Sequence, residues 1–192
     1  MHTIIFATNN EHKIKEIQSL VGSDFTIITL EQAGIDIDIP EPHDTLQENA
    51  YEKAMTIENM TQQNCFSEDT GLEIEALDGE PGVYSARYAG EEKDSNKNMD
   101  LVLKKMEGFS NRKARFKTVI SLSLDNKSYL FEGIVEGNIR KDKIGNLGFG
   151  YDPIFEPENI GRTFAEMTIE EKNTISHRGR AFEKMIHFLN SK

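Results

Sequence analysis

The chain is poor in several things. Among its 192 residues there is one cysteine, Cys65, no tryptophan and five prolines. A lone cysteine forms no internal disulfide, which fits a reducing compartment. No apolar run approaches the ~20 residues that span a bilayer, and the N-terminus carries no signal-peptide pattern. A cytoplasmic protein with no membrane partner is therefore expected. Positive charge is scarce too: 22 Lys and Arg stand against 33 Asp and Glu, a net charge of -11. A general nucleic-acid binder needs a basic surface, so no nucleic-acid partner is expected. Internal repeats, low-complexity tracts and linkers are absent. What remains is ordinary globular composition, long enough for a single domain over 1–192 with a real core.

The charge is unevenly spread. Between Lys15 and Arg87 the only Lys or Arg is Lys53, in a segment dense with Asp and Glu, whereas the C-terminal part brings Arg162, Lys172, Arg178, Arg180 and Lys184. A solvated acidic face is one account of that asymmetry; a small anionic ligand with its own local cations is the other.

Read in order, Ile4 to Phe6 is a buried first strand ending at Ala7-Thr8. Asn9 or Asn10 caps a helix with Ile14, Ile17, Leu20 and Val21 on one face and Gly22 as its stop. Thr8, Asn9, Asn10, Glu11, His12 and Lys13 thus span a strand-to-helix turn. Such a turn is either a phosphate seat, with free N–H groups and the helix dipole facing an anion, or an ordinary cap beside an exposed lysine. Phe25 to Leu30 reads as a second strand and Ile35 to Ile39 as a third. Thr45 and Glu48 form a capping box for a helix facing inward through Leu46, Ala50, Ala54 and Ile57, with Lys53 bordering that face. Glu41 lies in the loop ahead of it.

The stretch from Phe66 to Gly90 organises the rest. Cys65 and Phe66 read as the end of a buried strand, followed at once by Glu68 and Asp69, where an open α/β sheet places ligand chemistry. Neighbouring half-buried acids must repel, neutralise or hold a cation, and the cation is the reading taken here. Leu72, Ile74 and Ala76 then alternate up to a Gly79-Glu80-Pro81-Gly82 turn. A helix over roughly Ser95 to Glu107 and a long hairpin through Asp125-Asn126-Lys127 follow, the hairpin being structural. Ala114, Phe116, Thr118, Ile120, Leu122 and Leu124 alternate on its first strand with Arg115, Lys117, Ser121 and Ser123. In Gly148-Phe149-Gly150-Tyr151-Asp152, Phe149 either stacks on a base or belongs to an ordinary turn. Thr168 and Glu171 form a second capping box. Lys172 with Ser176-His177-Arg178 at the start of the last helix suits an oxyanion or a base edge. His177 has no nearby cysteine nucleophile and no metal-type histidine spacing, which rejects a zinc or triad reading.

Four separated blocks of this chain resemble the inosine triphosphate pyrophosphatase family: Thr8 to Lys13, Glu68 to Gly90, Gly148 to Pro153, and Ala165 through Lys172-Asn173 to Arg178. The resemblance implies an α/β fold with an elongated mixed β-sheet flanked by helices, two lobes and a central cleft. It implies a homodimer that hydrolyses non-canonical purine nucleoside triphosphates such as ITP, dITP and XTP to the monophosphate and pyrophosphate. By the same resemblance, Thr8 to Lys13 and Lys53 grip the triphosphate. Asp69 is the proton acceptor and a magnesium ligand, with Glu41 as second ligand and Glu68 close by. Thr70 touches substrate, and Phe149, Gly150, Tyr151 and Asp152 line a base pocket completed by Lys172, His177 and Arg178. Two departures stand out. Glu68-Asp69-Thr70-Gly71 replaces the common Asp-Asp-Ser-Gly, keeping charge and hydroxyl, and Glu41-Pro42-His43 replaces Glu-Thr-Gly, keeping only the acid. Rival readings are a catalytically silent nucleotide sensor and a pyrophosphatase for pyrimidine or modified nucleotides, like the septum-formation inhibitor proteins. The His177 and Phe149 blocks argue against the second.

Overall fold

The structure, a computed structural model, describes residues 2–21 and 25–192; Gly22, the expected stop of the first helix, lies outside them. The elements run β1 His2–Phe6, α1 Glu11–Gln18, β2 Phe25–Thr29, α2 Leu46–Thr61, β3 Cys65–Ile74, β4 Pro81–Gly82, α3 Ser95–Lys105, β5 Lys113–Leu124, β6 Lys127–Ile139, β7 Phe155–Pro157, α4 Ile169–Asn173 and α5 His177–Asn190. Among the described residues seven strands form one mixed sheet in the order β2-β1-β3-β5-β6-β7, with β4 beside β3. β1 is parallel to both β2 and β3, whereas β3–β4 and β6–β7 are antiparallel. An α/β mixed sheet flanked by helices is therefore observed, as expected.

The chain packs as two compact units, residues 1–69, 118–133 and 178–192 forming the first and 70–117 and 134–177 the second. In the first, alternation along β1 sends Ile4 and Phe6 to one face and Ile5 and Ala7 to the other. Ile4 and Phe6 join Phe66, Ile120, Leu122, Ile17 of α1 and Ala181, Phe182, Met185 and Leu189 of α5. Phe6 and Phe66 stack with ring centroids 4.4 Å apart. Ile5 and Ala7 meet Leu30, Cys65 and the inward face of α2 through Ala54 and Ile57. The second unit has its own core, where Met99, Val102 and Met106 of α3 pack on Leu72, Ile74, Phe116, Val135, Phe155 and Phe164.

The structure corrects three expectations. Ile35 to Ile39 is not a strand: Ile35, Ile37 and Ile39 lie half-buried against the α2-side cluster, but the segment carries no ladder. Alternation reports which side chains are covered, not which backbone is paired. Helix α1 ends at Gln18, with Ser19 as C-cap, so Leu20 and Val21 reach the core from beyond the helix. Cys65 and Phe66 open β3 rather than close it. β1 pairs only as far as Phe66; β3 runs on to Ile74 and takes up β4 at Leu72 and Glu73. Glu68 and Asp69 thus sit inside a strand, just past the point where its parallel neighbour stops.

The hairpin turn is as expected, with Asp125 and Asn126 both at positive φ, the geometry a two-residue turn needs. Its first strand alternates through Lys117, but beyond that both faces are covered and Ser121 and Ser123 are buried. Neither hydroxyl has a hydrogen-bond partner among the described residues. Ser67, buried on β3, donates instead to the Ala50 carbonyl of α2. Ser123→Ala is accordingly expected to leave stability unchanged or slightly higher, whereas Ser67→Ala lowers it by about 1 kcal/mol. Urea unfolding of the two variants checks this, and an equal loss in both refutes it.

Candidate active site

In the first unit the site is a buried network of opposite charges. Asn10 caps α1, its side-chain oxygen accepting from the N–H groups of His12 (3.0 Å) and Lys13 (3.2 Å). Thr8 Oγ1 accepts from Asn10 N–H, and Asn9 donates to the Ile37 carbonyl, so this turn is tied down by its own hydrogen bonds. Lys13 meets Glu68 at 3.0 Å. The other oxygen of Glu68 accepts from Arg178 Nε at 2.8 Å, and Arg178 also donates to Glu16. Glu11 points elsewhere, toward Lys15 on the exposed side of α1.

The second half of this network hangs on α2. Asn49 and Lys53 are four residues apart, hence on one helical face, and both are buried. Lys53 Nζ donates to Glu41 and lies 3.4 Å from Asp69 Oδ1. Asn49 Nδ2 reaches Asp69 Oδ2 at 3.4 Å, while its amide also brackets His43, accepting from its N–H and donating to its carbonyl. Asn49 thus fixes the loop that carries Glu41 and orients Asp69 at the same time. Nothing in the sequence analysis singled it out, nor Glu16. The available signal was a polar residue one turn before Lys53 on an otherwise apolar face.

Four carboxylates here (Glu16, Glu41, Glu68, Asp69) face three cations, Lys13, Lys53 and Arg178. Burial pushes the Asp69 carboxyl above its ordinary value, opposed by Lys53 and Lys13 and reinforced by Glu41. Burial works against the Lys53 ammonium, yet Asp69 and Glu41 more than restore it, so its pKa is raised. Burial thus disfavours the Asp69 charge, and the two acids together hold Lys53 protonated. Among the described residues no group of three or more His, Cys, Asp or Glu side chains forms a metal cage. Glu41 and Asp69 nevertheless converge on one cationic point, the Lys53 ammonium. Two hard oxygen donors so placed fit a cation that takes its other ligands from phosphate and water.

In the second unit the glycine-rich loop folds back on Asp152. Its Oδ2 accepts from Phe149 N–H at 2.8 Å and from Lys172 Nζ at 2.5 Å. Gly148 has φ +70°, and a Cβ there would lie 2.1 Å from Asp152 Oδ2, so the loop can close on that carboxylate only with glycine. Lys172, carried by α4 with the capping box Thr168–Glu171, is buried with its ammonium 5.0 Å and 5.2 Å from the ring centres of Phe149 and Phe164. His177 stacks on Phe116 at 4.6 Å. Phe149 and Gly150 are half-buried. Tyr151 is buried, its hydroxyl donating to the Ser85 carbonyl. Thr70, the first residue of this unit, is half-buried on β3.

Of the residues singled out from sequence, Glu41, Lys53 and Asp69 meet, as do Lys13, Glu68 and Arg178, and as do Phe149, Asp152 and Lys172. Arg178, expected at a base edge, lies wholly inside its unit between two carboxylates. Burial alone would raise the Glu68 pKa, but Arg178 and Lys13 outweigh it and hold the acid at about 2. A depressed acid contributes stability that is complete above its unfolded pKa, near 4.5, and lost as pH falls toward 2. Removing one partner of a buried pair strands the others, so Glu68→Gln is expected to cost about 3–5 kcal/mol at pH 7. That deficit shrinks as pH falls from 5 to about 2, where wild type protonates the same carboxyl. Urea unfolding at both pH values, with chelator present, checks it; a deficit independent of pH refutes it.

The sequence profile of the Ham1 family matches residues 4–188. A protein of Flavobacterium johnsoniae named dITP/XTP pyrophosphatase is 52% identical over 186 residues, 97% of each chain. One of the same name from Porphyromonas gingivalis is 46% identical over 190 residues, 98% of each. Among solved structures, the Ham1 protein of Staphylococcus aureus superposes with a TM-score of 0.89 at 38% identity over 98% of both chains. A HAM1 protein from Coxiella burnetii gives 0.91 at 36% over the full length of both. The resemblance read from four short blocks is thus matched by likeness along nearly the whole sequence and in the backbone, and the chain belongs to the Ham1 family.

Proposed function

We propose that this chain is a nucleoside triphosphate pyrophosphatase acting on deaminated purine nucleotides, converting ITP, dITP and XTP to the monophosphate and pyrophosphate. Its relatives at 52% and 46% identity carry the name dITP/XTP pyrophosphatase. The structural observation that carries the reading is Asp69, a buried carboxylate steadied by Lys53 and Asn49 beside a second acid.

Asp69 takes the proton from a water that attacks the α-phosphorus, its basicity raised by burial. Lys13, Lys53 and the turn from Thr8 receive the phosphate tail and stabilise charge building on the departing pyrophosphate. To bind it, Lys13 exchanges part of its contact with Glu68 for phosphate oxygen, and Arg178, already bonded to Glu68 and Glu16, keeps that acid from being left bare. Glu41 and Asp69 would hold magnesium, with Glu68 close by. When bound, the ion supplies charge neutralisation and polarisation of water at phosphate oxygens.

Phe149 stacks on the base, with Gly150, Tyr151 and Asp152 shaping its pocket and His177 backing it. Lys172 and backbone N–H groups meet the 6-keto oxygen, and Thr70 meets substrate beyond Asp69. An adenine 6-amino group sets a donor against the Lys172 ammonium and leaves the backbone donors unpaired, at ~1–3 kcal/mol for each unpaired donor. Guanine carries the same 6-keto group, so rejection of GTP acts at the 2-position. No helix among the described residues is long and apolar enough to cross a membrane; cytoplasmic location and a homodimeric state belong to the same reading.

The test is a pyrophosphate-release screen over common and deaminated nucleoside triphosphates, with and without magnesium. ITP, dITP and XTP are expected to be cleaved, ATP at least tenfold less efficiently, and chelator to stop all turnover. Asp69→Asn is expected to abolish release while ITP still binds; undiminished turnover in that variant refutes the proton-acceptor assignment.

A further inference from the structure

The segment Ser85–Ala89 is held by polar contacts from β3, the Gly82 turn, α3 and Tyr151. Ser85 Oγ accepts from Leu72 N–H of β3 at 2.9 Å and donates to the Gly82 carbonyl at 2.6 Å. The Ser85 carbonyl accepts from the Tyr151 hydroxyl at 2.8 Å. Asn98 of α3, buried, accepts from Ala89 N–H at 2.7 Å and donates to the Ala86 carbonyl at 2.9 Å. The strand it clasps has no slack. Gly71 packs so closely on β4 that a Cβ there would lie 2.6 Å from the Gly82 carbonyl oxygen.

We infer that Ser85 is a positioning residue for the reaction, joining the loop Gly148–Asp152 through Tyr151 to the strand that carries Asp69 through Leu72. Tyr151 then offers no hydroxyl proton to substrate. The hydroxyl proton is spent on Ser85, and the residue between Gly150 and Asp152 anchors the loop whose flanks present Phe149 and Asp152. The other end of the connection enters β3 three positions after Asp69. A buried phenol and a buried serine have one reason to be polar here, since the bonds they make determine where two backbone segments lie. The inference rests on the pyrophosphatase reading above.

The test compares ITP with ATP as substrates of the full-length protein with magnesium, in wild type, Tyr151→Phe and Ser85→Ala. The readout is the ratio of the two kcat/KM values, from which the fraction of folded enzyme cancels. Tyr151→Phe removes one hydroxyl and keeps the ring packed. It is expected to lower the ratio about two- to tenfold, the worth of one such bond, with KM for ITP rising more than kcat falls. Ser85→Ala is expected to lower the ratio at least as far and to lower kcat for ITP as well, since the bond to Leu72 is lost. Should Ser85→Ala fail to fold, Tyr151→Phe decides alone. An unchanged ratio in Tyr151→Phe, whatever its melting temperature, overturns the positioning role and leaves the pyrophosphatase reading standing. A wild type that releases no pyrophosphate from ITP overturns both.

Discussion

Charge taken out of water must be paired, and this constraint arranges the first unit around β3. Glu68 alone could not be buried as an ion; Arg178 and Lys13 make it possible, and Glu16 makes Arg178 possible in turn. The chain of acid, base, acid, base ends at Lys13, the least buried member, with 15% of its side chain exposed. Such an ending leaves one cation able to change partner without stranding the rest. The Glu41–Lys53–Asp69 group is the complementary case, with two carboxylates on one ammonium. On the pyrophosphatase proposal, a protein of net charge -11 uses both devices to receive a triphosphate.

The second unit obeys the same rule with different means. Asp152 and Lys172 are buried as a pair, and each has further satisfaction: the acid from the Phe149 N–H, the ammonium from two aromatic faces. A buried pair of this kind contributes little net stability against an apolar replacement. What it contributes is placement. Remove the carboxylate and both the loop backbone and the lysine lose the atom that locates them.

Local signals in the sequence reached the elements well where one periodicity dominated. α2 was legible because Leu46, Ala50, Ala54 and Ile57 fall on one stripe, and the caps at Asn10, Thr45 and Thr168 appear at the residues whose side chains can accept from the first turn. Legibility failed where burial and pairing part company. Ile35, Ile37 and Ile39 alternate like a strand and are covered like one, yet bond to no ladder; Ser121 and Ser123 look like a solvated face and are buried. The position of Glu68 and Asp69 on β3 depended on how far β1 accompanies it, a fact about a partner 60 residues away in the chain. Candidate charged residues were found because an acid in an apolar setting stands out. Asn49 and Glu16 were missed because a neutral amide and a helix glutamate do not, until the groups they bond are known.

In the stretch from Glu68 to Gly90, several residues serve to hold backbone in place. Gly71 is small so that Gly82 can come close; Ser85 is polar so that β3, the Gly82 turn and Tyr151 share one hydroxyl and one carbonyl. β3 has lost its parallel neighbour by the point where Asp69 stands. Beyond it, β4 and Ser85 supply the restraint that β1 no longer can. The dense run of small and polar residues after the acids is therefore the mechanical counterpart of the acids themselves: a carboxylate set inside a strand rather than on a loop gains precision only as far as the strand is held on both sides of it.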